Sequence, residues 1–195
     1  DGFFEEAPQR VWTGTEAYEH FGSAVSTCDF DGDGFQDLAV SAVLAEDEGA
    51  DEVFNDQGAV FIFRGSEDGI EDVASQEIFG VKSDPDKGWV GLKSLYFGQT
   101  IASGDYNGDG FCDLSVGIRS YAYGGKGNAG AILLYRGGSD GLSELPVRAW
   151  AGTEEGDKES LFAYCLKMAD VDQDGLSDIV ACQRDHLSEK GNNVG

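Results

Sequence analysis

Hydrophobic residues along this chain come in short runs broken by glycine and aspartate, such as Leu38-Ala39-Val40, Ala59-Val60-Phe61-Ile62-Phe63 and Ala131-Ile132-Leu133-Leu134-Tyr135. No long stretch places apolar residues at the 3.6-residue helical period, and the runs are rich in β-branched and aromatic side chains. This pattern predicts an all-β fold of short strands joined by Gly/Asp turns.

The runs recur in a fixed order. Phe21-Gly22-Ser23-Ala24-Val25 is followed by Asp29-Phe30-Asp31-Gly32-Asp33-Gly34-Phe35-Gln36-Asp37-Leu38. Phe97-Gly98-Gln99-Thr100-Ile101 leads in the same way to Asp105-Tyr106-Asn107-Gly108-Asp109-Gly110-Phe111-Cys112-Asp113-Leu114, and Phe162-Ala163-Tyr164-Cys165-Leu166 leads to Asp170-Val171-Asp172-Gln173-Asp174-Gly175-Leu176-Ser177-Asp178-Ile179. The copies lie 76 and 65 residues apart, counted from Asp29 to Asp105 and from Asp105 to Asp170. Gly58-Ala59 through Arg64-Gly65 matches Gly130-Ala131 through Arg136-Gly137, and each runs into a turn, at Ser66–Ile70 and Gly138–Leu142. A short aromatic strand precedes each phenylalanine, with Trp12, Phe79 and Trp150 taken as equivalent core positions. About four strands per repeat is one β-propeller blade plus loops. The expected blades are four-stranded and antiparallel and span 9–65, 76–137 and 148–195, the last one incomplete. Lys190–Gly195 is similar to Lys126–Gly130, which leads into a strand. A partial propeller leaves a strand edge open, so further chain or a second molecule is expected to complete it.

The aspartates of each repeat have the spacing of a cation loop. Side chains at loop positions one, three, five and nine are Asp29, Asp31, Asp33 and Asp37 in the first copy, with the Phe35 carbonyl available at position seven. The second copy offers Asp105, Asn107, Asp109 and Asp113 with the Phe111 carbonyl, and the third Asp170, Asp172, Asp174 and Asp178 with the Leu176 carbonyl. Alternate residues of a tight turn point inward together, and glycine supplies the positive φ angles that curl the backbone. Carboxylates converging in this way repel one another unless a cation intervenes, and an all-oxygen, irregular site suits Ca²⁺ better than octahedral Mg²⁺. The expected cofactor is about three Ca²⁺ ions, one per loop. An EF-hand has the same opening but requires a glutamate at position twelve and flanking helices. Val40, Val116 and Ala181 stand at position twelve, within strand-like runs. One such loop would be an ordinary Asp-rich turn; three in register with the strand motifs are a repeated metal site.

Charge narrows the partners. With 13 Lys+Arg against 37 Asp+Glu, the formal net charge is −24, a surface that repels nucleic acid and anionic membranes. No apolar run is long enough to cross a bilayer, so membrane insertion is not expected. Asp1-Gly2-Phe3-Phe4-Glu5-Glu6 lacks the basic start and apolar stretch of a signal peptide, which fits a mature or trimmed product.

The Phe-Gly dipeptides at Phe21-Gly22 and Phe97-Gly98, the aspartate loops and the degenerate segments Val40-Ser41-Ala42, Val116-Gly117-Ile118 and Val180-Ala181-Cys182 resemble the FG-GAP repeat of integrin α-subunit propellers and their bacterial relatives. The resemblance covers nearly the whole chain; the third copy departs from it with Phe162-Ala163. It implies calcium in the hairpin between the first two strands of a blade, an extracellular setting, and adhesion or recognition of a protein or glycan. The turns after the third strands look more like those of the bacterial members.

Four cysteines without CxxC spacing argue against zinc. Cys165 and Cys182 flank the third loop on strands expected to pair; a cross-strand disulfide and two buried thiols both fit. Cys28 and Cys112 lie at loop ends of neighbouring blades, with no pairing assigned by spacing. No catalytic set is evident: His20 and His186 are isolated, Gly124-Gly125-Lys126-Gly127 lacks the rest of a phosphate loop, and the best-placed carboxylates belong to the metal loops. Trp89, in Lys82–Lys93, is the candidate exposed contact, with Glu46–Gln57 a second recognition loop. The sequence therefore reads as a non-enzymatic, extracellular calcium-binding propeller segment that recognises a protein or glycan. The alternatives are a propeller of a secreted polysaccharide- or lipid-acting enzyme, and a self-associating subunit of a surface filament.

Overall fold

A computed structural model describes residues 10–14, 19–46, 57–80, 96–119, 121, 129–152 and 162–183. Trp89, His186, the Gly124–Gly127 segment and Lys190–Gly195 lie outside the described residues, as do 47–56 and 82–93 of the two recognition loops.

Ten strands are described and no helix, so none there is long and apolar enough to cross a membrane. The strands β1 (Phe21–Cys28), β2 (Asp37–Ala42), β3 (Ala59–Phe63) and β4 (Gln76–Phe79) form one antiparallel sheet in sequence order. A second sheet repeats it with β5 (Phe97–Gly104), β6 (Asp113–Ile118), β7 (Ala131–Tyr135) and β8 (Arg148–Ala151). The strands β9 (Phe162–Ala169) and β10 (Asp178–Gln183) make a two-stranded third. These are propeller blades: β1 lies beside β5, and β5 beside β9, so the first strand of each sheet faces the first strand of the next.

Burial follows from that stacking. The strands β6 and β7 are buried at every position, because the second sheet is covered by a neighbour on both faces. Its outer strand β8 is mostly exposed. Phe97, Ile101, Leu114, Val116, Leu133 and Tyr135 belong to the main core, which reaches across to Val60 and Ile62 of the first sheet. A smaller cluster of Ala102, Ile132, Ala163 and Leu166 joins the second sheet to the third.

Two glycines show how closely the sheets approach. A Cβ on Gly58 would lie 2.3 Å from the Phe97 carbonyl oxygen, and one on Gly130 would lie 2.2 Å from that of Phe162. Both have positive φ, 83° and 75°, so a glycine is required, sterically and conformationally, just ahead of the third strand of each full sheet.

The aromatic strands differ from expectation in register and in pairing. Ile78 pairs with Val60 as Trp150 pairs with Ile132, whereas Phe79 pairs with Ala59 as Ala151 does with Ala131. Ile78, not Phe79, is thus the counterpart of Trp150. Matching hydrogen bonds fix this register, from the Gly80 N–H to the Gly58 carbonyl and from the Gly152 N–H to that of Gly130, both 2.9 Å. Each aromatic strand is bonded to the strand before it, so the sheets run Phe21–Phe79 and Phe97–Ala151. The repeat boundaries at 9–65 and 76–137 cut the chain one strand earlier than these sheets do.

Candidate metal centres

Each aspartate loop is the turn of a strand hairpin, β1–β2, β5–β6 or β9–β10. The antiparallel ladder closes at Cys28–Asp37, Gly104–Asp113 and Ala169–Asp178, so every loop opens and closes at the same register.

Within the loops, carboxylates organise the backbone. Asp29 accepts from the Gly32 N–H at 2.7 Å and the Gly34 N–H at 2.9 Å; Asp105 accepts from Gly108 at 2.7 Å and Gly110 at 3.0 Å. Asp31 and Asn107 each accept from the residue two further on, as do Asp33 and Asp109. Asp170 accepts from Asp174 and Gly175, Asp172 from Asp174, and Asp174 from Leu176. These local bonds fix the side chains over a turn that would otherwise leave its N–H groups unpaired.

The ninth residue plays a different part. Asp37 is 1% exposed and accepts from the Phe30 N–H within its loop and from the Gly65 N–H beyond β3, both at 2.8 Å. Asp113, equally buried, accepts from Tyr106 and Gly137 at 3.0 Å each. Burial pushes both carboxyls up from their ordinary range. The backbone donors oppose this, and the neighbouring loop aspartates add to it. Asp178 accepts from the Val171 N–H at 3.0 Å.

Oxygens of Asp29, Asp31 and Asp37 all lie within 4.8 Å of one another, as do those of Asp170, Asp172 and Asp174. Asp33 stands outside the first group and Asp178 outside the third. The second loop forms no such group of acids among the described residues: Asn107 stands where the first and third loops have Asp31 and Asp172, and Arg136 pairs with Asp109 through Nη2 at 2.8 Å and Nε at 3.2 Å. Phe35 and Leu176, whose carbonyls were expected to join the set, expose their side chains. The convergent carboxylates of the first and third loops fit a hard divalent cation, since close like charges need a counter-charge and all donors are oxygen. The flanking strands exclude an EF-hand.

Arg64 and Arg136 were missed as partners of the loops. Each follows the third strand of its sheet; Arg64 Nε lies 3.2 Å from Asp31 Oδ2. Their signal was the repeated Arg-Gly dipeptide. Its glycine is the donor to Asp37 or Asp113, and a Cβ there would lie 2.4 Å from the Gln36 carbonyl oxygen or 2.2 Å from that of Cys112. Both cysteine pairs are disulfides, Cys28–Cys112 with Cα atoms 5.9 Å apart and Cys165–Cys182 with 5.2 Å. The second pair faces directly across β9 and β10.

The sequence family described as the FG-GAP repeat matches residues 21–63 and 97–135, the first three strands of each complete sheet with their loops. The chain carries FG-GAP repeats. These FG-GAP blades are similar to integrin alpha-V of Gallus gallus, 31% identical over 175 residues, 87% of this chain and 15% of that protein. Integrin alpha-IIb of Mus musculus is 32% identical over 86% of the chain, again 15% of the relative. Integrin alpha-PS3 of Drosophila melanogaster is 34% identical over 69% of the chain and 10% of the relative. The FG-GAP chain thus spans about a seventh of the length of the first two, and it is an integrin-like propeller segment.

Proposed function

We propose that this FG-GAP segment is a non-catalytic, extracellular recognition module whose blade hairpins are stiffened by Ca²⁺, one ion per loop. The observation that carries the metal reading is the convergence of Asp29, Asp31 and Asp37 at one loop and of Asp170, Asp172 and Asp174 at the equivalent loop two repeats on. Asp33, Asp105, Asn107, Asp109, Asp113 and Asp178 complete the ligand sets, with the Phe35, Phe111 and Leu176 carbonyls. Bound calcium would supply positive charge that cancels the repulsion among these oxygens. The loop residues hold their carboxylates in place beforehand through the Asp29, Asp105 and Asp170 hydrogen bonds. Arg64 and Arg136 share that neutralisation with one positive charge each.

The two disulfides support an oxidising, extracellular setting. Similarity to integrin alpha subunits supports adhesion or recognition of a protein ligand. A glycan ligand rests on the repeat type alone.

Melting the full chain in EDTA and in millimolar calcium tests the metal reading. A ligand held at about 100 times its Kd stabilises the folded state by roughly 2.7 kcal/mol per independent site, so a clear rise in Tm is expected. The Asp29→Ala/Asp105→Ala/Asp170→Ala variant should lose that rise. Equal melting in both buffers, with no calcium found by metal analysis, would remove the metal from the proposal.

A further inference from the structure

Consecutive metal loops touch one another, and they do so in the same way twice. The Cys112 N–H of the second loop donates to the carbonyl of Asp29 in the first at 2.9 Å. The Ser177 N–H of the third loop donates to the carbonyl of Asp105 in the second at 2.7 Å. In each case the donor is the eighth residue of one loop and the acceptor is the first residue of the loop before it. Side chains repeat the match: a Cβ on Gly32 would lie 2.5 Å from the Phe111 ring, and one on Gly108 would lie 2.8 Å from Leu176 Cδ2. The seventh residue of each loop therefore covers the fourth residue of its predecessor.

The two junctions differ in one respect. Between the first and second loops the Cys28–Cys112 disulfide is added, joining the residue before Asp29 to the residue before Asp113. At the next junction the corresponding residues are Gly104 and Ser177, in contact but without a covalent link. A further bond, from the Gly138 N–H to the Phe30 carbonyl at 3.1 Å, ties the second sheet to the first loop.

We propose that the metal loops of consecutive blades bind calcium cooperatively through this strip of contacts, and that Cys28–Cys112 couples the first two loops most tightly. The inference rests on the calcium reading given above. Asp29 is at once a ligand through its carboxylate and the acceptor for Cys112 through its carbonyl. Cys112 lies between Phe111 and Asp113, both assigned to the second ligand set. Ordering either loop fixes a peptide group of the other, so the second ion to bind meets a loop whose ordering entropy has partly been spent. Such coupling is reciprocal.

A site-resolved calcium titration of the full chain with its disulfides intact tests this, followed by NMR at the Gly34, Gly110 and Gly175 amides, which report the three loops separately. Asp109→Ala is expected to abolish the Gly110 response and to weaken the midpoint at Gly34 about fivefold or more, in the usual range for coupled sites. The midpoint at Gly175 should weaken less. In the Cys28→Ser/Cys112→Ser background the effect of Asp109→Ala on Gly34 should shrink to about twofold or less. An unchanged Gly34 midpoint beside a lost Gly110 response would overturn the coupling while leaving the calcium sites standing. Calcium that shifts none of the glycines in the unmodified chain would overturn both. Should the double cysteine variant fail to fold, a larger effect at Gly175 than at Gly34 in the disulfide-intact Asp109→Ala chain would still overturn the role given to the disulfide.

Discussion

Backbone conformation at single positions separates the three repeats where their chemistry looks alike. The fourth loop residue is left-handed in every copy, with φ 74° at Gly32 and 76° at Gly108, but 66° at Gln173. A non-glycine residue there costs roughly 1–2 kcal/mol, and Gln173 is exposed. Gln173→Gly relieves that strain but adds freedom to the unfolded chain worth roughly 0.4–1 kcal/mol. The net expectation is a gain of about 0.5–1 kcal/mol by chemical denaturation. A loss would mean that the Gln173 side chain makes a contact that compensates its backbone. Asp37 and Asp113 divide from the other loop acids at the same scale. They are the buried ones, tied to the end of the third strand, while the carboxylates of Asp29 and Asp105 bond within their own turns.

Between elements, the junctions vary by complementary exchange. Gly98, at φ 86°, sits against Ser41 so closely that a Cβ would lie 2.8 Å from the Ser41 Cβ. At the next junction Ala163 takes the place of Gly98, and Gly117 takes that of Ser41, so the methyl group has moved to the opposite strand. Ala163 keeps the left-handed backbone at φ 63°. Gly98→Ala is therefore expected to destabilise by about 2–4 kcal/mol, from strain and overpacking together. Adding Ser41→Gly recreates the natural Gly117–Ala163 arrangement, although it forfeits the Ser41 Oγ contact with the Ala24 N–H. A double-mutant cycle should show favourable coupling of about 1 kcal/mol or more; strict additivity would refute the steric account. The loops, the Phe-Gly starts and the strand runs were legible in the sequence because each is local. The aromatic strand was misaligned by one residue because its register is set by the bonds of Gly80 and Gly152 to a strand some twenty residues earlier. Arg64 and Arg136 went unassigned for a related reason: their partners lie across two turns of chain.

For the whole molecule, disulfide pairing marks the limit of such reading. Cys165–Cys182 was one of two readings the sequence left open, because a single hairpin places the two opposite each other, whereas Cys28–Cys112 depends on how neighbouring sheets abut. The chain-entropy relation gives about 4.5 kcal/mol for a loop the size of the 84-residue separation, and about 3 kcal/mol for the shorter one, separated by 17. Cys28→Ser/Cys112→Ser should accordingly lower stability more than Cys165→Ser/Cys182→Ser, as read from denaturation midpoints at fixed calcium. The reverse order would show that the inter-sheet bridge strains the native packing. Residues beyond the two four-stranded sheets join the same pattern. Arg10 donates to the Ile70 carbonyl as Gln76 Nε2 does to that of Leu142, so the chain just ahead of each sheet is latched to the turn beyond that sheet's third strand.

The longer bridge also decides how the chain would answer a mechanical load. Tension applied at the two ends passes from Cys28 to Cys112 through the disulfide and bypasses the intervening chain, which holds β2, β3, β4 and β5. At about 3.4 Å per extended residue, roughly 290 Å of contour is withheld from stretching. The strands β2 to β5 are shielded from the load while the bridge holds, and a reducing agent would expose that hidden length to it.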